Sequence, residues 1–131
     1  MYLLDTNICI ALLKQNSLAV KQFNTKASLC YLSTIVIAEL YKGVYFSQRL
    51  QQNLSVLEQF LSLMSIVEFD RDAAQEFGKI QAELRSIGKP TGEVDAIIAA
   101  VARSRRDIVV TNNTRHFINI CNLHLENWLE P

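Results

Sequence analysis

Glycine and proline are scarce in this sequence, with four and two among 131 residues. So few turn formers exclude a linker-rich or low-complexity protein and argue against a β-sandwich, which needs a turn about every ten residues. No stretch approaches the roughly 18–20 apolar residues of a membrane-spanning helix, and the amino terminus lacks the basic run and small-residue cleavage site of a secretory signal. Excess charge is absent too, since thirteen Lys and Arg balance thirteen Asp and Glu. That balance excludes coating of nucleic acid by bulk charge; a polyanion must be met by a local patch or through metal. Cys9, Cys30 and Cys121 form no C-x-x-C pair and have no histidine at finger spacing. They read as buried thiols in a reducing cytoplasm.

Half of the residues are hydrophobic and a fifth are charged, a composition suited to one core in a single domain over residues 1–131. Short apolar runs alternate with longer helical patterns, which predicts an α/β domain with a short, mainly parallel sheet. The expected strands are Tyr2-Leu3-Leu4, Cys30-Tyr31-Leu32, Ile66-Val67, Ile108-Val109-Val110 and Leu123-His124-Leu125. Between them, Leu50, Leu54, Leu57 and Leu61 make one core-facing helical stripe, and Ala73, Phe77, Ile80, Leu84 and Ile87 make another. The second stripe is opened by Asp70 and closed by Gly88 and Pro90. Ser33 or Thr34 is expected to cap a helix running to about Tyr45, and Thr91 one running to about Arg103.

Three acids sit in apolar company. Asp5 ends the first strand, Glu39 lies within Ile35-Val36-Ile37-Ala38-Glu39-Leu40, and Asp95 within Val94-Asp95-Ala96-Ile97-Ile98. Each has a structural explanation: a turn or cap for Asp5, a dipole-favoured first turn for Asp95, an ion pair with Lys42 or an arginine for Glu39. Together they point elsewhere. Asp5 and Asn112-Asn113 both directly follow strands, where ligands gather in open α/β sheets, and Glu39 and Asp95 lie early in their helices. Converging carboxylates stay ionised only around a cation, and an all-oxygen set without a Cys/His cluster selects Mg²⁺ or Mn²⁺.

Other phosphate chemistries lack their parts. No G-x-x-x-x-G-K-[ST] or G-x-G-x-x-G loop occurs, and Asn7 stands where a haloacid-dehalogenase-type phosphatase needs its second Asp. A response-regulator receiver is missing its acidic pair and late lysine.

Four blocks, in order and end to end, resemble the PIN-domain toxins of the VapC family. They are Leu3-Leu4-Asp5-Thr6-Asn7, Ser33-Thr34 leading to Ala38-Glu39-Leu40 and Gly43, Gly88 through Ala100, and Val110 through Phe117, with a closing Leu125-Glu126-Asn127-Trp128. The resemblance implies a three-layer α/β/α sandwich and a Mg²⁺- or Mn²⁺-dependent endoribonuclease that cuts tRNA or rRNA loops. It also implies a homodimer held inactive by a small antitoxin of the VapB type. By position Asp5, Glu39 and Asp95 match the metal-binding acids. Many PIN domains carry a fourth acid where this chain has Asn113, which supplies oxygen without charge; Glu93 is a candidate replacement. For RNA contact the candidates are Arg115, Asn112, Thr6, Arg103 and Arg106, with a solvated helix end as the plain alternative for the last two. The resemblance also assigns dimer and antitoxin contacts to the region of Tyr41, Tyr45 and Phe46. The competing reading is a PIN-like RNA-binding or complex-forming protein whose catalysis has decayed.

Overall fold

A computed structural model describes residues 1–131. Five strands, β1 (Tyr2–Leu4), β2 (Cys30–Ser33), β3 (Ser65–Val67), β4 (Ile108–Val110) and β5 (His124–Glu126), form one sheet in the order β3-β2-β1-β4-β5. Every pairing is parallel. Parallel strands need crossover helices, which cover both faces and leave strands apolar throughout rather than alternating. Hence Leu3, Leu4, Tyr31, Leu32, Val109 and Val110 are all fully buried.

The helices are α1 (Thr6–Leu13), α2 (Ser17–Lys26), α3 (Thr34–Tyr45), α4 (Leu50–Ser62), α5 (Arg71–Ser86), α6 (Glu93–Arg105) and α7 (Thr114–Phe117). The chain steps outward from β1 to β3 and then returns to β4 on the other side of β1. Right-handed crossovers therefore put α1–α4 on one face and α5–α7 on the other, the expected three layers. Strands of three residues span about 10 Å, against about 18 Å for a twelve-residue helix. The helices overrun the sheet, and α3 and α6 approach one another from opposite layers.

Caps set the helix starts. Ser33 Oγ accepts from the N–H of Val36 at 3.4 Å, and Asp70 Oδ1 from that of Ala73 at 2.9 Å. Past α5 the chain turns through Gly88 at φ +65°, a left-handed conformation that glycine adopts without a Cβ clash, and the Lys89 N–H closes on the Leu84 carbonyl at 3.0 Å.

Several expectations are corrected. Of the Leu50 stripe only Leu57 is fully buried, and Ile87 lies 55% exposed just beyond α5. Thr91 does not cap α6: Gly92 does so without a side chain, while the Thr91 hydroxyl donates to the carbonyl of His116 at 2.8 Å. Cys9 and Cys30 are buried and free, but Cys121 is exposed. The last strand begins at His124, one residue later than expected, and the Glu126 carbonyl accepts from the N–H of Thr111 at 2.9 Å. No helix is long and apolar enough to cross a membrane.

Candidate active site

Asp5 ends the central strand, and Thr111-Asn112-Asn113 follow its neighbour β4. The chain leaves these two adjacent strands toward opposite layers, which opens a crevice beyond their carboxyl ends. Ligands collect at such a switch point.

The Asp5 carboxylate is almost entirely buried and accepts from donors at both oxygens. Oδ1 accepts from the N–H of Thr6 at 2.8 Å; Oδ2 accepts from the hydroxyl of Thr111 at 2.7 Å and the amide of Asn7 at 3.2 Å. The network continues outward: the Asn113 N–H donates to Thr111 Oγ1 at 3.0 Å, and the Asn112 N–H to Asn7 Oδ1 at 2.8 Å. Removing a carboxylate from water is costly, and burial pushes the Asp5 carboxyl above its ordinary value. The hydrogen bonds from Thr111 and Thr6 pull it back, and the Asp95 carboxylate adds a smaller upward push.

Glu39, in the second turn of α3, is half-buried and makes no hydrogen bond or ion pair, so the expected pairing with Lys42 or an arginine does not occur. Asp95 lies in the first turn of α6, its Oδ2 3.1 Å from Nδ1 of His116. Asp5, Glu39, Asp95 and Asn113 line one cleft of about 260 Å³, with Thr6 in its wall and Ile10 and Val94 among its apolar lining.

No three Asp, Glu, His or Cys side chains are placed to hold one ion directly. The three acids that the sequence singles out are brought into the wall of one cleft. Mg²⁺ keeps several waters and takes one or two carboxylates, so this arrangement fits a hydrated hard cation. The donor set agrees: all oxygen, with one desolvated carboxylate whose charge a cation would offset and one carboxylate that no protein group satisfies.

The remaining candidates divide. Glu93 is exposed and absent from the cleft wall. Two residues turn a helix by about 200°, so with Asp95 facing inward Glu93 faces away from the cleft. Asn112 is tied into its loop, accepting at Oδ1 from the Asn127 amide at 3.3 Å. Arg115 is exposed and stands in a pocket that shares Asp95 with the cleft.

Arg103 does not serve the site. It lies eight residues beyond Asp95, about 12 Å along α6. Its guanidinium donates to Glu76 at 2.6 Å, to both oxygens of Glu83 at 2.9 and 2.7 Å, and to the Cys121 carbonyl at 3.2 Å. Arg106, the left-handed residue ending α6, is farther still. Arg105 is taken by Asp107 at 3.1 Å and lies over the Tyr31 ring. Arg103, Arg105 and Arg106 thus cluster at the end of α6 that leads into the amino end of β4, opposite the cleft. Thr111 and Asn7, whose hydrogen bonds hold Asp5, stand within the motif blocks, but no local signal marks a bond between residues 106 positions apart.

A PIN-domain family model matches residues 2–123. The chain is 41% identical to the tRNA(fMet)-specific endonuclease VapC of Shigella flexneri over 97% of both sequences. It is 43% identical to ribonuclease VapC2 of Haemophilus influenzae over 98% of both. Among solved structures, DNA-bound VapBC of Salmonella typhimurium superposes with a TM-score of 0.92 at 38% identity, covering 97% of each chain. A parallel five-stranded sheet with acids at its switch point and a match over nearly its whole length lead to one assignment: the chain belongs to the PIN-domain family.

Proposed function

We propose that this protein is the endoribonuclease toxin of a VapBC-type toxin–antitoxin pair, that it depends on Mg²⁺ or Mn²⁺, and that its substrate is tRNA. The carrying observation is the cleft that Asp5, Glu39 and Asp95 share at the sheet's switch point. The relative named as a tRNA(fMet)-specific endonuclease makes initiator tRNA the first substrate to test.

Asp5 and Asp95 would hold the ion, Asp5 through oxygens oriented by Thr111, Thr6 and Asn7. Such an ion supplies Lewis acidity and charge neutralisation for in-line attack of water on a backbone phosphate. Glu39, with neither Oε atom engaged by protein, accepts the proton of the attacking water or aids in holding the ion. Asn113, also unpaired at its side chain, offers a neutral oxygen at the rim. The 3′-oxygen leaves and the product carries a 5′-phosphate, so the 2′-hydroxyl takes no part. A chain that binds RNA without cutting it has no need of a half-buried carboxylate without a partner, which speaks against decay.

The antitoxin fits a second surface. A groove of about 480 Å³ between α1, α3 and α4, with Ile10, Leu13, Leu40, Val44 and Val56 in its wall, includes Glu39 as well. An amphipathic segment laid there would reach the cleft's edge. Phe46, 79% exposed, and Tyr45 supply apolar surface for a homodimer. The free thiols suit a reducing cytoplasm.

The test incubates purified protein with end-labelled initiator and elongator tRNAs in Mg²⁺, Mn²⁺ or EDTA. Discrete cleavage that EDTA removes is the expected result. Binding without cutting in either metal overturns the assignment.

A further inference from the structure

A second pocket adjoins the catalytic cleft. Of about 350 Å³, it lies between the loop entering α6 and the short helix α7, and Asp95 forms part of both walls. Only Leu84 in its lining is hydrophobic; Lys89, Arg115, His116 and Asn119 supply most of its chemistry. Lys89 and Arg115 are exposed and neither forms an ion pair, in contrast to Arg103 and Arg105. The walls are braced: the Thr91 hydroxyl ties the α6 loop to the His116 carbonyl at 2.8 Å, and the His116 ring is held at Nδ1 by Asp95 at 3.1 Å. That ring is 44% exposed and its Nε2 has no protein partner.

We infer that this pocket is a nucleotide subsite, receiving the RNA residue next to the scissile phosphate. Two unpaired cations suit a backbone phosphate, which binds by releasing counterions. A braced, half-exposed imidazole presents an aromatic face on which an unstacked base lies, and the Asn119 amide offers a donor and an acceptor to its edge. The volume, at the small end of ligand pockets, matches one nucleotide unit rather than a duplex. Sharing Asp95 with the cleft places the occupant one step from the reacting phosphate. The subsite also accounts for how a chain with no net charge engages RNA: two cations are kept free where the strand must pass.

The inference rests on the ribonuclease reading, and the experiment separates the two. RNA affinity is measured by fluorescence anisotropy with a labelled tRNA anticodon stem-loop, in an Asp5→Asn background that prevents turnover. The salt dependence is compared with and without Lys89→Ala and Arg115→Ala. Each substitution should weaken binding and flatten the slope of log K against log salt by about 0.7, the value for one single-strand phosphate contact. The charge-matched Lys21→Ala/Arg49→Ala protein, altered on exposed residues outside both pockets, should retain the reference affinity and slope. In the active protein, Lys89→Ala should raise KM more than it lowers kcat. Unchanged affinity and slope in the Lys89→Ala/Arg115→Ala protein overturns the subsite while leaving ribonuclease activity intact. A selective loss of antitoxin binding would give the pocket to a protein partner and likewise overturn it. Failure of the parent to cut RNA at all counts against the ribonuclease reading instead.

Discussion

Thr111, wholly buried at the end of β4, donates its hydroxyl hydrogen to Oδ2 of Asp5 at 2.7 Å, across the join between the two central strands. The hydroxyl does two tasks at once, since the Asn113 N–H also donates to it. It is the strongest of the hydrogen bonds holding the Asp5 carboxyl down against burial.

Replacing Thr111 with Val keeps the branched shape and removes the donor. Loss of a group that orients a metal-binding carboxylate typically costs on the order of 10- to 100-fold in activity or metal affinity. Thr111→Val should therefore cut RNA at least ten times more slowly under saturating substrate, with circular dichroism still native. A variant as fast as the parent would show that Asp5 needs no such orientation.

Glu39 has no protein partner to lose. Glu39→Gln should lower kcat by roughly 10²- to 10⁴-fold, the usual worth of a positioned acid or base. The midpoint of thermal unfolding should remain near that of the parent, as for substitutions that break no buried contact. Loss of activity accompanied by substantial unfolding would mark Glu39 as structural.

Asp5 sets the sign of a pH effect. Its folded pKa lies above the unfolded value of about 3.9. The native state of the metal-free protein therefore holds this proton more tightly than the unfolded chain does, and the resulting stabilisation is complete below about pH 3.9. It is lost as pH rises through the folded pKa. In EDTA, the parent should lose stability relative to Asp5→Asn as pH rises above about 4. Millimolar Mn²⁺ at pH 7 should raise the melting temperature of the parent and not that of the variant. A difference between the two proteins that does not vary with pH would sink this account.

Arg103 should matter to folding and not to catalysis. Arg103→Met retains the apolar stem while leaving Glu83 without its partner and Glu76 with Lys79 alone at 3.7 Å, at a cost of about 1–3 kcal/mol for pairs between the surface and buried limits. Arg103 holds the Glu83 carboxyl below its ordinary value. That contribution is present above the unfolded value of about 4.3 and lost as pH falls through the folded pKa, so the deficit should shrink in acid. Below the melting range, kcat/KM on RNA should match the parent. A selective rise in KM would return Arg103 to the RNA surface.

The centre of the sheet is the most legible part of the chain because β1, β2 and β4 are buried on both faces and read as unbroken apolar runs, as in Tyr2-Leu3-Leu4 and Ile108-Val109-Val110. Helix α2 leaves little trace: in Ser17–Lys26 only Ala19 is fully buried and Phe23 packs partly buried on the core, too short a stripe to be read. The acids Asp5, Glu39 and Asp95 stand out because a carboxylate amid apolar neighbours needs a reason. That they share one cleft depends on how α3 and α6 pass one another, which no local pattern encodes. The arginine cluster misled for a related reason. Adjacency in sequence marks these residues as one patch, while Arg103 is taken up by Glu76 and Glu83 from α5 and Arg105 by its near neighbour Asp107.

The placement of β1 between β2 and β4 has a consequence for synthesis. Asp5 is made first among the reacting groups, yet its orienting hydroxyl is 106 residues later and the strand that carries it docks directly on β1. Until that strand leaves the ribosome, the emerging segment has the acids but not the edge on which they are arranged, and contacts of such long range form late. Under the ribonuclease reading proposed above, a ribosome making this chain meets no assembled site before β4 has been added.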